Sequence, residues 1–118
     1  MRNLAPHIIR QRLLIEARCR KAVAQHDVER FLRDLPAALD LRIYCEPVVY
    51  SPGGEGKKEN QGYDGFVALI DSGISIYVWE NAKFLSVVIY TCKAFDTDRA
   101  TKFTRDFFDI ADVEVMPF

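Results

Sequence analysis

Nothing in this sequence is long and apolar enough to span a membrane, and its first residues, MRNLAPHIIRQR, lack the apolar centre of a signal peptide. We therefore expect a cytoplasmic protein that does not insert into membranes. Blocks of like charge are also missing: 16 Lys and Arg face 17 Asp and Glu, for a net charge of −1. That balance removes the electrostatic case for binding nucleic acid or a membrane surface. Cysteine is scarce, odd in number and scattered, at Cys19, Cys45 and Cys92. This excludes a disulfide framework, and with only His7 and His26 beside them no zinc-ligand spacing exists. No metal is expected. Cys19 and Cys45 read as small strand hydrophobes. Of six glycines, four fall in Ser51–Gly62, SPGGEGKKENQG, a flexible surface loop without the GxxxxGK[ST] pattern of a phosphate cradle.

What is present is apolar residue in ordered patterns. At 118 residues and 49% hydrophobic content, the chain has the material for one domain with one core. His7–Arg20 contains a strand that sets Leu13, Ile15 and Ala17 against Arg12, Leu14, Glu16 and Arg18. Asp27 suits the N-cap of a helix whose Val28, Phe31, Leu32 and Leu35 share one stripe, ending near Leu35 or Ala38 because of Pro36. Leu41–Tyr50 reads as a strand, with Pro47 pointing to an edge or a bulge. Asp96 caps a second helix with Ala100, Phe103 and Phe107 as its stripe, widened by Phe108, and Asp112–Met116 forms a last strand.

Residues 64–92 carry the functional content. The apolar runs Phe66–Ile70, Ile74–Trp79 and Phe84–Cys92 are separated by Asp71-Ser72-Gly73 and Glu80-Asn81-Ala82-Lys83, which predicts a meander of three antiparallel strands. With Trp79 paired to Phe84, Tyr77 faces Ser86, Ser75 faces Val88, Gly73 faces Tyr90 and Cys92 lands opposite Asp71. Ile74, Ile76, Val78, Leu85, Val87, Ile89 and Thr91 then share a face that helices must cover. The opposite face mixes rings, hydroxyls and a thiol, which suits a ligand pocket or a subunit contact. A tight turn at Asp71-Ser72 would place Phe66 beside Tyr77 and Asp64 beside Trp79 on that face. The whole predicts an α+β two-layer sandwich, an antiparallel sheet with two helices on one face. The uncovered aromatic face predicts a homodimer.

The run Asp71-Ser72-Gly73-Ile74-Ser75-Ile76-Tyr77-Val78-Trp79, followed by Thr91-Cys92 and a capped helix, resembles the short prokaryotic S-adenosylmethionine decarboxylases. The resemblance covers roughly residues 41–115. It implies self-cleavage between Asp71 and Ser72, with Ser72 becoming an N-terminal pyruvoyl group. It also implies that this carbonyl condenses with the substrate amine and takes up electrons as CO2 leaves, in the service of spermidine synthesis. Cys92 takes the place of the family's proton donor. Trp79 or Phe66 would stack on the adenine of an S-adenosylmethionine-like substrate.

Departures from the family pattern fall on the chemistry. The family's histidine five residues after the serine is Tyr77, whose phenol, with an ordinary pKa of about 10, is a poor base near neutrality. The histidine directly after the serine is Gly73, and a serine of the processing machinery is Asp64, which would then stand in as the base. Two further functions stay open beside the decarboxylase of S-adenosylmethionine. One keeps the pyruvoyl group and takes a basic amino acid as substrate. The other is an unprocessed, non-catalytic homologue that binds a small molecule or regulates a partner decarboxylase subunit. Residue chemistry alone is also met by plainer roles: Ser72 as a turn residue, Cys92 as core, Tyr77 and Trp79 as dimer contacts, Asp64 as a strand-end cap.

Overall fold

Period-two alternation of β-branched residues builds the centre of the molecule. The computed structural model describes Met1–Phe118. It contains β1 (Gln11–Cys19), α1 (Gln25–Ala38), β2 (Val48–Tyr50), β3 (Gly62–Leu69), β4 (Ser72–Trp79), β5 (Phe84–Thr91), α2 (Thr97–Phe108) and β6 (Ile110–Pro117). The strands form one antiparallel sheet in the order β2-β3-β4-β5-β1-β6. Ile74, Ile76 and Val78 of β4, with Leu85, Val87, Ile89 and Thr91 of β5, are buried as the alternation requires. Leu13, Ile15 and Ala17 of β1 join them, and Val28, Phe31, Leu32 and Leu35 of α1 close the same core. This is the α+β two-layer sandwich. No helix is long and apolar enough to cross a membrane.

The β4–β5 hairpin has the expected register, Gly73 with Tyr90, Ser75 with Val88, Tyr77 with Ser86 and Trp79 with Phe84. The β3–β4 hairpin differs. Leu69 pairs with Ser72, so its loop is Ile70-Asp71, one residue earlier than Asp71-Ser72. Asp64 therefore pairs with Tyr77 rather than Trp79, and Phe66 with Ser75 rather than Tyr77. The physical reason lies at Asp71, which takes the left-handed conformation at φ 55° that aspartate tolerates, freeing Ser72 to begin β4. The pairing moves by two residues, so every side chain keeps its face.

Three other expectations need correction. Helix α1 begins at Gln25, before Asp27; Ala24 is its N-cap, and Asp27 serves that end from inside, its Oδ2 accepting from the Ala24 amide at 3.0 Å. Of the expected strand Leu41–Tyr50 only Val48–Tyr50 joins the ladder, and Ile43 makes a single bridge to Leu69. Pro47 withholds an amide from that edge, and Cys45, outside any strand, is exposed rather than a strand hydrophobe. In α2 the buried stripe is Ala100, Thr104 and Phe108, with Phe103 and Phe107 half-buried at its flank. The Thr104 hydroxyl is satisfied by donating to the Ala100 carbonyl at 2.8 Å. Asp96 does cap α2, accepting from the amides of Asp98 and Arg99 at 3.0 and 3.1 Å. Phe31 of α1 ties the helices together, its ring centroid 4.8 Å from Phe108 and 5.4 Å from Phe107.

The second sheet face carries no helix. Tyr50, Phe66, Tyr77 and Tyr90 are exposed on it.

Candidate functional site

The site is built where β4 begins and β5 ends. Ser72 is the first residue of β4, and the left-handed Asp71 before it swings the chain into the strand. β5 stops at Thr91, which is fully buried; its hydroxyl donates to the Lys93 carbonyl at 2.7 Å and pulls the chain out of the sheet. Cys92 is thereby left exposed at the exit, with its thiol free. Its amide donates to the Ser72 hydroxyl oxygen at 3.0 Å. Ser72, Asp71 and Cys92 are thus brought together.

They border a depression of about 440 Å³, whose other polar lining is Asp40, Arg42 and Lys93. That volume lies within the range of small-molecule sites. The strap carrying Asp40 and Arg42 is pinned on both sides. The Lys93 ammonium donates to the Asp40 carbonyl at 2.9 Å, and the Ile70 amide donates to the Arg42 carbonyl at 3.3 Å. Arg99 closes on the Asp40 carboxylate at 3.8 Å, so cations gather at the C-terminal end of α1 as its dipole favours. A second depression, about 370 Å³, opens on the uncovered sheet face and is lined by Phe66, Asp71, Ser72, Gly73, Ser75 and Tyr90, with Val88 beneath. Ser72 borders both. Gly73 matters here: a Cβ at that position would meet the Phe66 ring at 2.9 Å, so the ring lies against the junction because no side chain intervenes.

Other expected site residues lie elsewhere. Asp64 and Tyr77 face each other in mid-sheet, five residues along β4 from Ser72, about 17 Å at strand rise. Asp64 is therefore out of reach as a base for Ser72 of its own chain. Trp79 is two residues farther, about 23 Å away, and packs on Phe84 with centroids 5.3 Å apart. It cannot stack on a ligand at its own chain's junction, whereas Phe66 can. Neither histidine lines a depression at Ser72; the imidazole of His26 sits 3.3 Å from Asp27 at the start of α1. Cys19 is buried, and desolvation, aided by the charge of Asp109, pushes its thiol up to about 11, a chemically quiet state. Tyr63 is likewise pushed up, by burial and then by its hydrogen bond to and the charge of Glu80.

Asp40, Arg42 and Lys93 had no sequence pattern to announce them, apart from Lys93 following Cys92.

Over residues 7–118 the sequence matches the family model described as S-adenosylmethionine decarboxylase. This chain belongs to the S-adenosylmethionine decarboxylase family. A search of curated proteins finds no match. Among solved structures, the crystal structure of the adenosylmethionine decarboxylase from Aquifex aeolicus VF5 is similar, with a TM-score of 0.71 at 18% identity, covering 94% of this chain and 89% of that one. At that identity the likeness speaks for the fold. In this decarboxylase-family chain a serine opens β4, followed by Gly73, and a cysteine directly follows β5.

Proposed function

We propose that this chain is a cytoplasmic, pyruvoyl-dependent decarboxylase of S-adenosylmethionine, feeding spermidine synthesis, with Ser72 as the source of the pyruvoyl group and Cys92 as the proton donor. One observation carries this reading: the 3.0 Å hydrogen bond from the Cys92 amide to the Ser72 hydroxyl, which puts the thiol-bearing residue and the Asp71–Ser72 junction at one depression. The junction fits the group. Ser72 follows a left-handed residue in a two-residue turn and borders both depressions.

Self-cleavage would use this chain's own atoms. The Ser72 hydroxyl oxygen attacks the Asp71 carbonyl carbon, the amide C–N bond breaks, and the acyl group passes to oxygen. Loss of the Ser72 α-proton then expels the ester oxygen as the Asp71 carboxylate. Water displaces ammonia from the residue left behind, which ends the new chain in a pyruvoyl carbonyl. A pyruvoyl group at this junction would supply an amine-reactive, electron-accepting carbonyl for decarboxylation. Cys92, exposed beside the junction, would return a proton to the carbon that lost CO2. Phe66, exposed beside Gly73, offers a ring for adenine. A homodimer covering the open aromatic face gives Tyr77 and Trp79 a role as contacts with a second copy.

A second reading is favoured by a different observation: no imidazole stands near Ser72, and Asp64 and Tyr77 are about 17 Å along the strand. On this reading the chain stays intact and binds a small molecule, or regulates a partner decarboxylase subunit. Intact mass of the purified protein separates the two. Two fragments split between Asp71 and Ser72 support the enzyme, whereas one 13.5 kDa species supports the unprocessed homologue. Carbon dioxide release from S-adenosylmethionine and from basic amino acids then decides the substrate. For an intact chain, a thermal-shift screen with adenosyl ligands and polyamines finds the ligand.

A further inference from the structure

Every depression at the junction holds side chains the proposed cleavage does not use, and Arg42 stands out among them. Arg18, Arg20, Arg33 and Arg99 each close on a carboxylate, and Arg12 and Arg30 lie over the rings of Phe118 and Phe107. The Arg42 guanidinium, like those of Arg2, Arg10 and Arg105, has neither kind of partner, but of these four only Arg42 lines the depression at Ser72, and its backbone is held in place. Its carbonyl accepts from Ile70, and the neighbouring Ile43 bridges Leu69, directly before the Ile70-Asp71 turn. The result is a fixed stem with a free fork, lining the same depression as Ser72 and Cys92. Lys93, the other cation there, donates to the Asp40 carbonyl, and its ammonium lacks the planar fork of a guanidinium. Asp71, like Arg42, has no ion-pair partner, so the depression offers an unpaired guanidinium and an unpaired carboxylate beside the junction.

We infer that Arg42 is the carboxylate-recognition residue of this site, its guanidinium holding the α-carboxylate of an amino-acid-type ligand whose amine lies at the Asp71–Ser72 junction. The inference rests on the proposed substrate chemistry and names the residue that reads it. A planar guanidinium presents paired N–H donors that match a carboxylate in two-point contact, which fixes orientation as well as affinity. The neighbouring Asp71 carboxylate, at the same rim, favours the ammonium end of such a ligand. The interaction belongs to the ground state, because the carboxylate charge disappears as CO2 forms; it sets binding rather than the chemical step.

The test uses Ser72→Ala protein, in which cleavage and turnover are blocked, and compares it with Ser72→Ala/Arg42→Ala by titration calorimetry. Two probes are used, S-adenosylmethionine and its decarboxylated amine. The second substitution should weaken the first probe about tenfold or more and leave the second within about twofold, with Arg42→Lys recovering part of the loss. Arg42 is exposed, so thermal midpoints of the two proteins should agree. Equal weakening of both probes, no change in either, or no binding of S-adenosylmethionine to Ser72→Ala protein would overturn the assignment. Intact mass of the unsubstituted chain reports separately on the proposed cleavage, so the two ideas fail independently.

Discussion

Cys92 and Ser72 are joined through a backbone amide and a side-chain oxygen, not through the thiol. Replacing the Cys92 side chain therefore leaves the contact that positions the junction intact. Cys92→Ala should retain cleavage between Asp71 and Ser72 while lowering decarboxylation about a hundredfold or more, the usual range for losing a general acid. Intact mass and CO2 release check the two halves. A Cys92→Ala protein that stays in one piece would assign the cysteine to processing instead of to proton return.

Tyr77 stands about 17 Å along β4 from Ser72 of its own chain, on the face that a second copy would cover. A histidine restored there can act only across a subunit boundary. Tyr77→His should raise the rate of cleavage by about a hundredfold, as an added general base does. A Ser72→Ala/Tyr77→His chain, itself unable to cleave, should pass that gain to a co-expressed chain carrying Ser72. Fragment yields by mass spectrometry read the transfer. Unchanged yields in both experiments would place this face away from a neighbour's junction.

Gly62 and Gly73 should differ sharply in what alanine costs them. A Cβ at Gly62 would lie 1.7 Å from the Val78 carbonyl oxygen, backbone of the paired strand, which cannot move without opening the ladder. We expect Gly62→Ala to cost about 3 kcal/mol or more. At Gly73 the obstacle is the edge of the Phe66 ring, 2.9 Å away on an exposed side chain that is free to swing. Gly73→Ala should cost less than about 1 kcal/mol, offset by the entropy a strand glycine loses on folding, and should move Phe66 off the junction. Urea unfolding midpoints distinguish the pair.

The sheet was legible because its signal is local. Ile74, Ile76 and Val78 alternate with smaller or polar residues, and that period admits one burial solution. The Asp71-Ser72-Gly73 turn was less so, since three turn-forming residues in succession permit several loops, and only the left-handed backbone at Asp71 selects one. Trp79 shares a face with Ser75 and Tyr77, but face-sharing says nothing of distance along a strand. Arg42 was invisible for a different reason: it sits in a connection, and what places it is a hydrogen bond to Ile70, distant in sequence.

Cys19 offers a pH-dependent test of the core. It is 6% exposed, and burial, then the charge of Asp109, raises its thiol from the ordinary 9.0 to about 11. The folded state therefore keeps a proton that the unfolded chain releases. The resulting stabilisation is fully present below pH 9 and is lost as pH rises from 9 through about 11. Across that window the thermal midpoint should fall more steeply for the unsubstituted protein than for Cys19→Ala. Slopes are compared because the alanine also leaves a small cavity that lowers its midpoint at every pH. A thiol reagent at neutral pH should label Cys45 and Cys92 at once, and Cys19 only on unfolding. Parallel pH profiles, or rapid labelling of all three cysteines in the folded state, would show that the Cys19 thiol is open to solvent.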